Sequence, residues 1–161
     1  MKLKGLVETD FVNYKKTSMF LITSQCDFKC DKECGKDVCQ NSPLAKAAVH
    51  EIDNQKLIQS YINNPLTEAI VIGGLEPFDT WEDTFQFIKD VRNYYIEDDI
   101  VIYTGYTQEE VFERLVELSN FHAGNIVIKY GRFRPNSEGI YDRILGIKLS
   151  SKNQYGVRYT F

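Results

Sequence analysis

Three short runs, Ala69-Ile70-Val71-Ile72, Ile100-Val101-Ile102-Tyr103 and Ile126-Val127-Ile128, set the tightest limit on what this chain can fold into. They are apolar throughout, without the alternation of a strand that has one wet face. Such runs must be covered on both sides, which is the condition of strands in a parallel sheet. Met19-Phe20-Leu21-Ile22-Thr23 and the stretch from Ile144 to Leu149 have the same character. Helical patterns lie between them. Ser42-Pro43 reads as a helix start, and Leu57, Ile58, Tyr61 and Ile62 recur at helical spacing until Asn63-Asn64-Pro65 stops them. Trp81, Phe85, Ile88, Val91 and Tyr95 form one apolar face behind a capping pattern at Thr80 and Asp83. Val111, Phe112, Leu115, Val116 and Leu118 form another behind Thr107 and Glu110.

Strand and helix alternating in this way predict βαβ units. With no internal repeat or linker-like tract, residues 1–161 are expected to form one α/β domain. A closed eight-stranded barrel takes ~250 residues. The expectation is therefore a partial (β/α) barrel, or an open, mostly parallel sheet of about five to six strands flanked by helices. In either form ligands sit at the C-terminal strand ends, where Cys26, Gly73-Gly74 and Thr104-Gly105 all fall.

The formal charge of −4 and pI of about 5.2 argue against a nucleic-acid partner, which calls for a basic face. No apolar run approaches the ~18 residues of a membrane span, and Met1 to Gly5 lead into polar residues rather than a signal-peptide core. A cytoplasmic protein without a membrane partner is expected. In that compartment, four cysteines confined to residues 26–39 point to metal ligation more than to disulfides. The loop reads Cys26-Asp27-Phe28-Lys29-Cys30-Asp31-Lys32-Glu33-Cys34-Gly35-Lys36-Asp37-Val38-Cys39. Thiolates suit iron–sulfur or zinc, and the absence of any C-x2-C pair favours iron–sulfur. His50 and His122, the only histidines, belong to no catalytic constellation and are expected to be structural or solvated.

A cysteine loop that follows a buried strand and opens with C-x3-C resembles that of the radical S-adenosylmethionine (SAM) enzymes. Further segments resemble the activating proteins of anaerobic ribonucleoside-triphosphate reductases. They are Gly73-Gly74-Leu75-Glu76-Pro77, Tyr103-Thr104-Gly105-Tyr106, Ile128-Lys129-Tyr130-Gly131-Arg132-Phe133 and Leu149-Ser150-Ser151-Lys152-Asn153-Gln154, in the family's order from residue 20 to 154. The chain departs from the family where no cysteine lies three positions after Cys30, and where Lys129 and Tyr130 stand in a region in which an acid is common.

The resemblance implies a [4Fe–4S] cluster held by three cysteines. Apolar Val38 before Cys39 and Asn41 after it match the family's third ligand better than the surroundings of Cys34 do. Cys26, Cys30 and Cys39 are thus the expected ligands, with Cys34 as the alternative third. It also implies that Gly73 and Gly74 seat the SAM amino group, that Glu76 orders their turn, and that Thr104 lines the site. The implied activity is reductive cleavage of SAM to install a glycyl radical on a partner, the large subunit of an anaerobic ribonucleotide reductase. An external one-electron donor such as flavodoxin or ferredoxin would supply the reductant. Two alternatives stay open: activation of another glycyl-radical enzyme, and a non-catalytic module with a closed four-cysteine zinc or iron–sulfur site.

Overall fold

The computed structural model describes residues 1–161. In chain order its elements are β1 (Lys2–Asp10), β2 (Ser18–Thr23), α1 (Lys29–Cys34), α2 (Ser42–Ala45), β3 (His50–Glu51), α3 (Asn54–Asn63) and β4 (Ala69–Gly73). A 3-10 turn (Pro77–Thr80) then leads into α4 (Trp81–Asn93), β5 (Asp99–Tyr103), α5 (Phe112–Asn120), β6 (Asn125–Tyr130), β7 (Ile140–Asp142), β8 (Ile147–Leu149) and β9 (Tyr155–Thr160).

One seven-stranded sheet runs β3-β1-β2-β4-β5-β6-β9. Its centre, β2-β4-β5-β6, is parallel and in sequential order, while β1, β3 and β9 add antiparallel edges. The sheet stays open, without barrel closure. Sequential parallel strands joined by crossovers of one hand place their helices on one face. There Leu57, Ile58 and Tyr61 of α3, Phe87, Ile88 and Val91 of α4, and Leu115 and Leu118 of α5 pack on Ile70, Ile72, Ile100, Ile102, Ile126 and Ile128.

The alternate residues Ala69, Val71, Val101 and Val127 point the other way and still need cover. No helix supplies it. Tyr14, from the β1–β2 connection, and Leu145 and Leu149, from the β7–β8 hairpin, close that second face. The continuous apolar runs therefore do reflect two-sided burial, with unlike covers on the two sides.

Several sequence expectations are corrected. The run from Ile144 to Leu149 does not join the sheet. Asp142 Oδ1 accepts the N–H groups of Ile144 and Leu145, so the first residues form a turn and only Ile147–Leu149 are extended, paired with β7. The Thr80–Asp83 capping box does not form: Thr80 Oγ1 donates to the Pro77 carbonyl, and Asp83 accepts the Lys2 N–H. The Thr107–Glu110 box does form, with Thr107 N–H to Glu110 at 2.8 Å and Glu110 N–H to Thr107 Oγ1 at 3.4 Å. Its helix begins later, at Phe112. Tyr95, expected on the α4 core face, lies beyond the helix and is exposed, as are Ile62, Phe112 and Val116. No helix is long and apolar enough to cross a membrane.

The β1–β2 connection is fastened at the N-terminal end of β5. Asp99 is buried and accepts hydrogen bonds from Tyr14 Oη at 2.9 Å and Arg158 Nη1 at 2.7 Å, with Lys16 Nζ 3.0 Å away. These partners outweigh burial and hold the Asp99 carboxyl far below the usual carboxylate range. A carboxyl depressed in this way gives its full stabilisation above the unfolded value near ~4, and loses it as pH falls through the folded value. Asp99→Asn is expected to cost about 3 kcal/mol in urea unfolding at pH 7 and to shrink the acid-side loss of stability; an unchanged acid limb would contradict the assignment.

Candidate functional site

Beyond the C-terminal ends of β2, β4, β5 and β6 lies a cavity of about 400 Å³ on the second face of the sheet. Its size is within the ~300–1,000 Å³ typical of small-molecule sites. The cysteine loop forms one wall. The loop turns at Phe28, whose φ of +55° is unusual for a bulky residue and marks local strain. The Asp27 carboxylate accepts the Lys29 N–H at 3.1 Å and so fixes the start of α1, which carries Cys30. Asp31 Oδ1 then accepts two N–H groups, Val38 at 2.7 Å and Cys39 at 2.8 Å. These bonds fold the second half of the loop back onto α1 and bring Cys39 to the cavity beside Cys26 and Cys30.

Cys34 is left out. It is one turn past Cys30 on α1, half-buried, and does not line the cavity. The three cavity thiols are also half-buried. Burial pushes Cys26 up to about 12, aided by the nearby acids Glu76 and Asp79 and by Cys39, and it raises Cys30 as well. Backbone amides oppose the rise, with Phe28 N–H 3.3 Å from Cys26 Sγ and the Phe133 backbone at Cys30. Metal uptake at this wall must therefore displace protons.

The loop is clasped to the rest of the fold. The Arg132 guanidinium is buried and forms a fork onto Glu110 at 2.9 and 2.6 Å, while Glu33 of α1 sits 3.0 Å from its Nε, off the N–H direction. Lys29 lies 3.9 Å above the Tyr106 ring. Tyr106 Oη donates to Asp79, whose other oxygen accepts the Asp27 N–H at 2.7 Å. Asp27 and Asp79 come close enough to Cys26 to resemble a three-donor metal site. Their oxygens are committed to the Lys29 and Asp27 N–H groups and the Tyr106 hydroxyl, which hold the loop.

The remaining expected site residues separate. Gly74, Glu76 and Thr104 line the cavity, and Gly73 does not. A side chain at Gly73 would put Cβ 2.8 Å from Tyr103 Cβ, and its carbonyl accepts from Thr23 Oγ1 at 3.2 Å. At Gly74, φ is +79° and a Cβ would meet Ile22 Cγ2 at 2.7 Å. Close packing of β4 against its neighbours thus requires both glycines, independently of any ligand.

Glu76 ties the strand ends together. Its N–H donates to the Gln25 carbonyl at 2.9 Å, and its carboxylate accepts from Phe78 N–H at 3.2 Å and Gly105 N–H at 2.9 Å. Burial pushes its carboxyl up to about 7 against those bonds. Thr104 accepts the Tyr106 N–H at 2.9 Å and so shapes the turn after β5.

Sequence reasoning missed Asp31, Asp79 and Arg132 as builders of the site, and Lys129 and Gln154 as part of its lining. Lys129 was readable as a charge at the end of an apolar strand. Gln154 donates to the Gly131 carbonyl and accepts the Ser151 N–H, which seats the last segment on the cavity rim. His50 is exposed on β3 and His122 follows α5; neither lines the cavity.

Residues 14–154 match the sequence model of a family described as a 4Fe-4S single cluster domain. The chain belongs to this family. No curated protein and no solved structure matches it significantly. The observed donors suit such a cluster: three thiols on one wall, a backbone N–H bonded to the Cys26 sulfur, and a cavity alongside. An iron–sulfur domain is compatible with redox chemistry.

Because Glu76 ionises less readily folded than unfolded, its contribution to the stability of the cluster-free protein falls as pH rises from about 4.5 to about 7. Glu76→Gln removes that titration, so its stability relative to wild type is expected to improve across this window in urea unfolding of the cluster-free chain. Parallel pH curves would count against it.

Proposed function

We propose that this iron–sulfur domain is a radical SAM activating enzyme that installs a glycyl radical on an anaerobic ribonucleotide reductase. The observation that carries the proposal is the three-against-one division of the cysteines. Cys26, Cys30 and Cys39 share a cavity with Gly74, Glu76 and Thr104, while Cys34 lies outside it. Three thiolates leave one iron of a cubane without a protein ligand, and the adjoining space is where a chelating small molecule would bind. The cysteine loop and the segments around Glu76, Thr104, Gly131 and Gln154, which carry the resemblance, all reach this one cavity.

In this reading Cys26, Cys30 and Cys39 hold the cluster. Gly74 sets the close turn on which the SAM amino group is received, and Gly73 acts only through packing. Glu76 keeps that turn and Thr104-Gly105 in register, and Thr104 borders the bound ligand. When bound, the cluster and SAM would supply the chemistry, reductive cleavage of SAM driven by a flavodoxin- or ferredoxin-like electron donor and directed at the partner's glycine. The chain's own contribution is ligation, orientation and exclusion of water by Phe20, Phe133 and Leu149, which line the same cavity.

The test is anaerobic reconstitution with iron and sulfide, followed by EPR of the reduced protein with and without SAM. The expected result is a cluster spectrum altered by SAM, with methionine and 5′-deoxyadenosine formed under reduction. A spectrum indifferent to SAM would overturn the proposal. In the same preparation, Cys34→Ala is expected to keep its iron and sulfide and Cys39→Ala to lose most of both. The reverse pattern would make Cys34 the third ligand, and loss in both variants would indicate a closed four-cysteine centre.

A further inference from the structure

Two cations are buried in this protein, and they are treated differently. Arg132 is matched by Glu110 and Glu33. Lys129 has no carboxylate within ion-pair distance. Its Nζ donates to the Gly131 carbonyl at 2.9 Å and the Thr104 carbonyl at 3.5 Å. An ammonium has three donors, so one is left without a protein acceptor. Burying a charge without a partner is costly, and a lysine does so only where something compensates it.

Geometry indicates what that is. Lys129 alternates with Ile128 and Tyr130 of the helix-covered core and shares the second face with Val127, so its side chain enters the cavity lined by the cysteines. Both of its carbonyl partners border the sulfur-bearing wall. The residue after Thr104, Gly105, is packed so that a Cβ there would lie 3.7 Å from Cys30 Sγ. Glu76 is bonded to the same Gly105 N–H but not to Lys129, so these two buried charges are each held by backbone rather than by one another. Near Cys26 the neighbouring side chains are acidic, Glu76 and Asp79; near Cys30 they are Lys129 and Arg132.

We infer that Lys129 is the counter-charge of the cluster, a positioning residue whose fixed ammonium offsets the negative charge of the core and its thiolates and raises its reduction potential. The inference rests on a cluster at Cys26, Cys30 and Cys39 and does not depend on SAM. One electron from an external reductant takes the core from the 2+ to the 1+ state without a coupled proton. The complex is then more anionic, so a nearby cation favours the reduced form.

Reduction potential discriminates this role from a packing role. Wild type, Lys129→Met and Lys129→Arg are reconstituted anaerobically and titrated with dithionite in the absence of SAM, with the cluster followed by EPR. Lys129→Met is expected to shift the midpoint potential to a more negative value, and Lys129→Arg to stay at or near wild type. Unfolding of the cluster-free proteins is measured alongside, where Lys129→Met is expected to match or exceed wild type because an unpaired buried charge is removed.

An unchanged potential in Lys129→Met, or the same shift in both variants, would overturn the inference. Cluster loss in Lys129→Met alone would support a required counter-charge, and loss in both would mean that the lysine acts by shape. Absence of iron from wild type would refute the cluster reading itself, which separates the two failures.

Discussion

The parallel strands of this protein must be dry on both faces, while its crossover helices can cover only one. The remainder of the structure follows from that imbalance. The second face is closed by two segments far apart in sequence, the β1–β2 connection through Tyr14 and the β7–β8 hairpin through Leu145 and Leu149. These covers lie over the middle of β4, β5 and β6. They leave the C-terminal strand ends open, and there Thr104 and Lys129 face a cavity, with Tyr103 and Phe20 at its border with the packed layer. The site is the part of the sheet that the chain does not cover with itself.

The wall of that cavity is built by carboxylates that ligate nothing. Asp31 curls the loop so that a cysteine nine positions after Cys30 reaches the same space, while the cysteine four positions after it does not. Spacing along the chain and placement in space therefore part company. On a helix, residues four apart share a face, but they also differ in height by one turn, ~6 Å. Cys34 follows Cys30 along α1 away from the cavity, whereas Cys39 returns through the loop. Asp79, Tyr106 and Lys29 then bind the loop to the end of β5, so its shape depends on the sheet beneath it.

The strands of the parallel core were legible because their burial is written in continuous β-branched runs, and the α/β class followed from their rhythm. The edges were not. Lys2–Asp10 and Tyr155–Thr160 mix charge, glycine and apolar residues because both lie at the margins of the sheet and are only partly covered: β9 pairs with β6 alone, and beyond β1 lies only the two-residue β3. The run from Ile144 to Leu149 misled because apolar residues that cover a sheet look like residues that join one; Asp142 decides between them through the bonds it makes to Ile144 and Leu145. At the site, the cysteines and the turns after β4 and β5 were visible as motifs. Asp31, Asp79 and Arg132 were not, since a charge on a loop acquires meaning only from the backbone or partner it meets. Gly73 stood in a ligand motif, and the structure places it outside the cavity lining, where a Cβ would meet Tyr103.

Satisfaction of charge divides the molecule along the strand direction. At the N-terminal end, Asp99 meets a hydroxyl and two cations, and its ionised form is favoured by folding. At the C-terminal end the order reverses. Glu76 is held above its ordinary range and Lys129 below its own, both by burial, and neither is neutralised by a direct ion pair. Phe28 turns through a left-handed conformation at the same end. Features that weaken a fold are kept where binding energy can offset them: beside the Arg132–Glu110 clasp, the C-terminal end carries the two buried charges without an ion-pair partner, whereas the buried charge at the N-terminal end is fully matched. A ligand that brings its own charge to the C-terminal rim stabilises the part of the protein that folding alone leaves least satisfied.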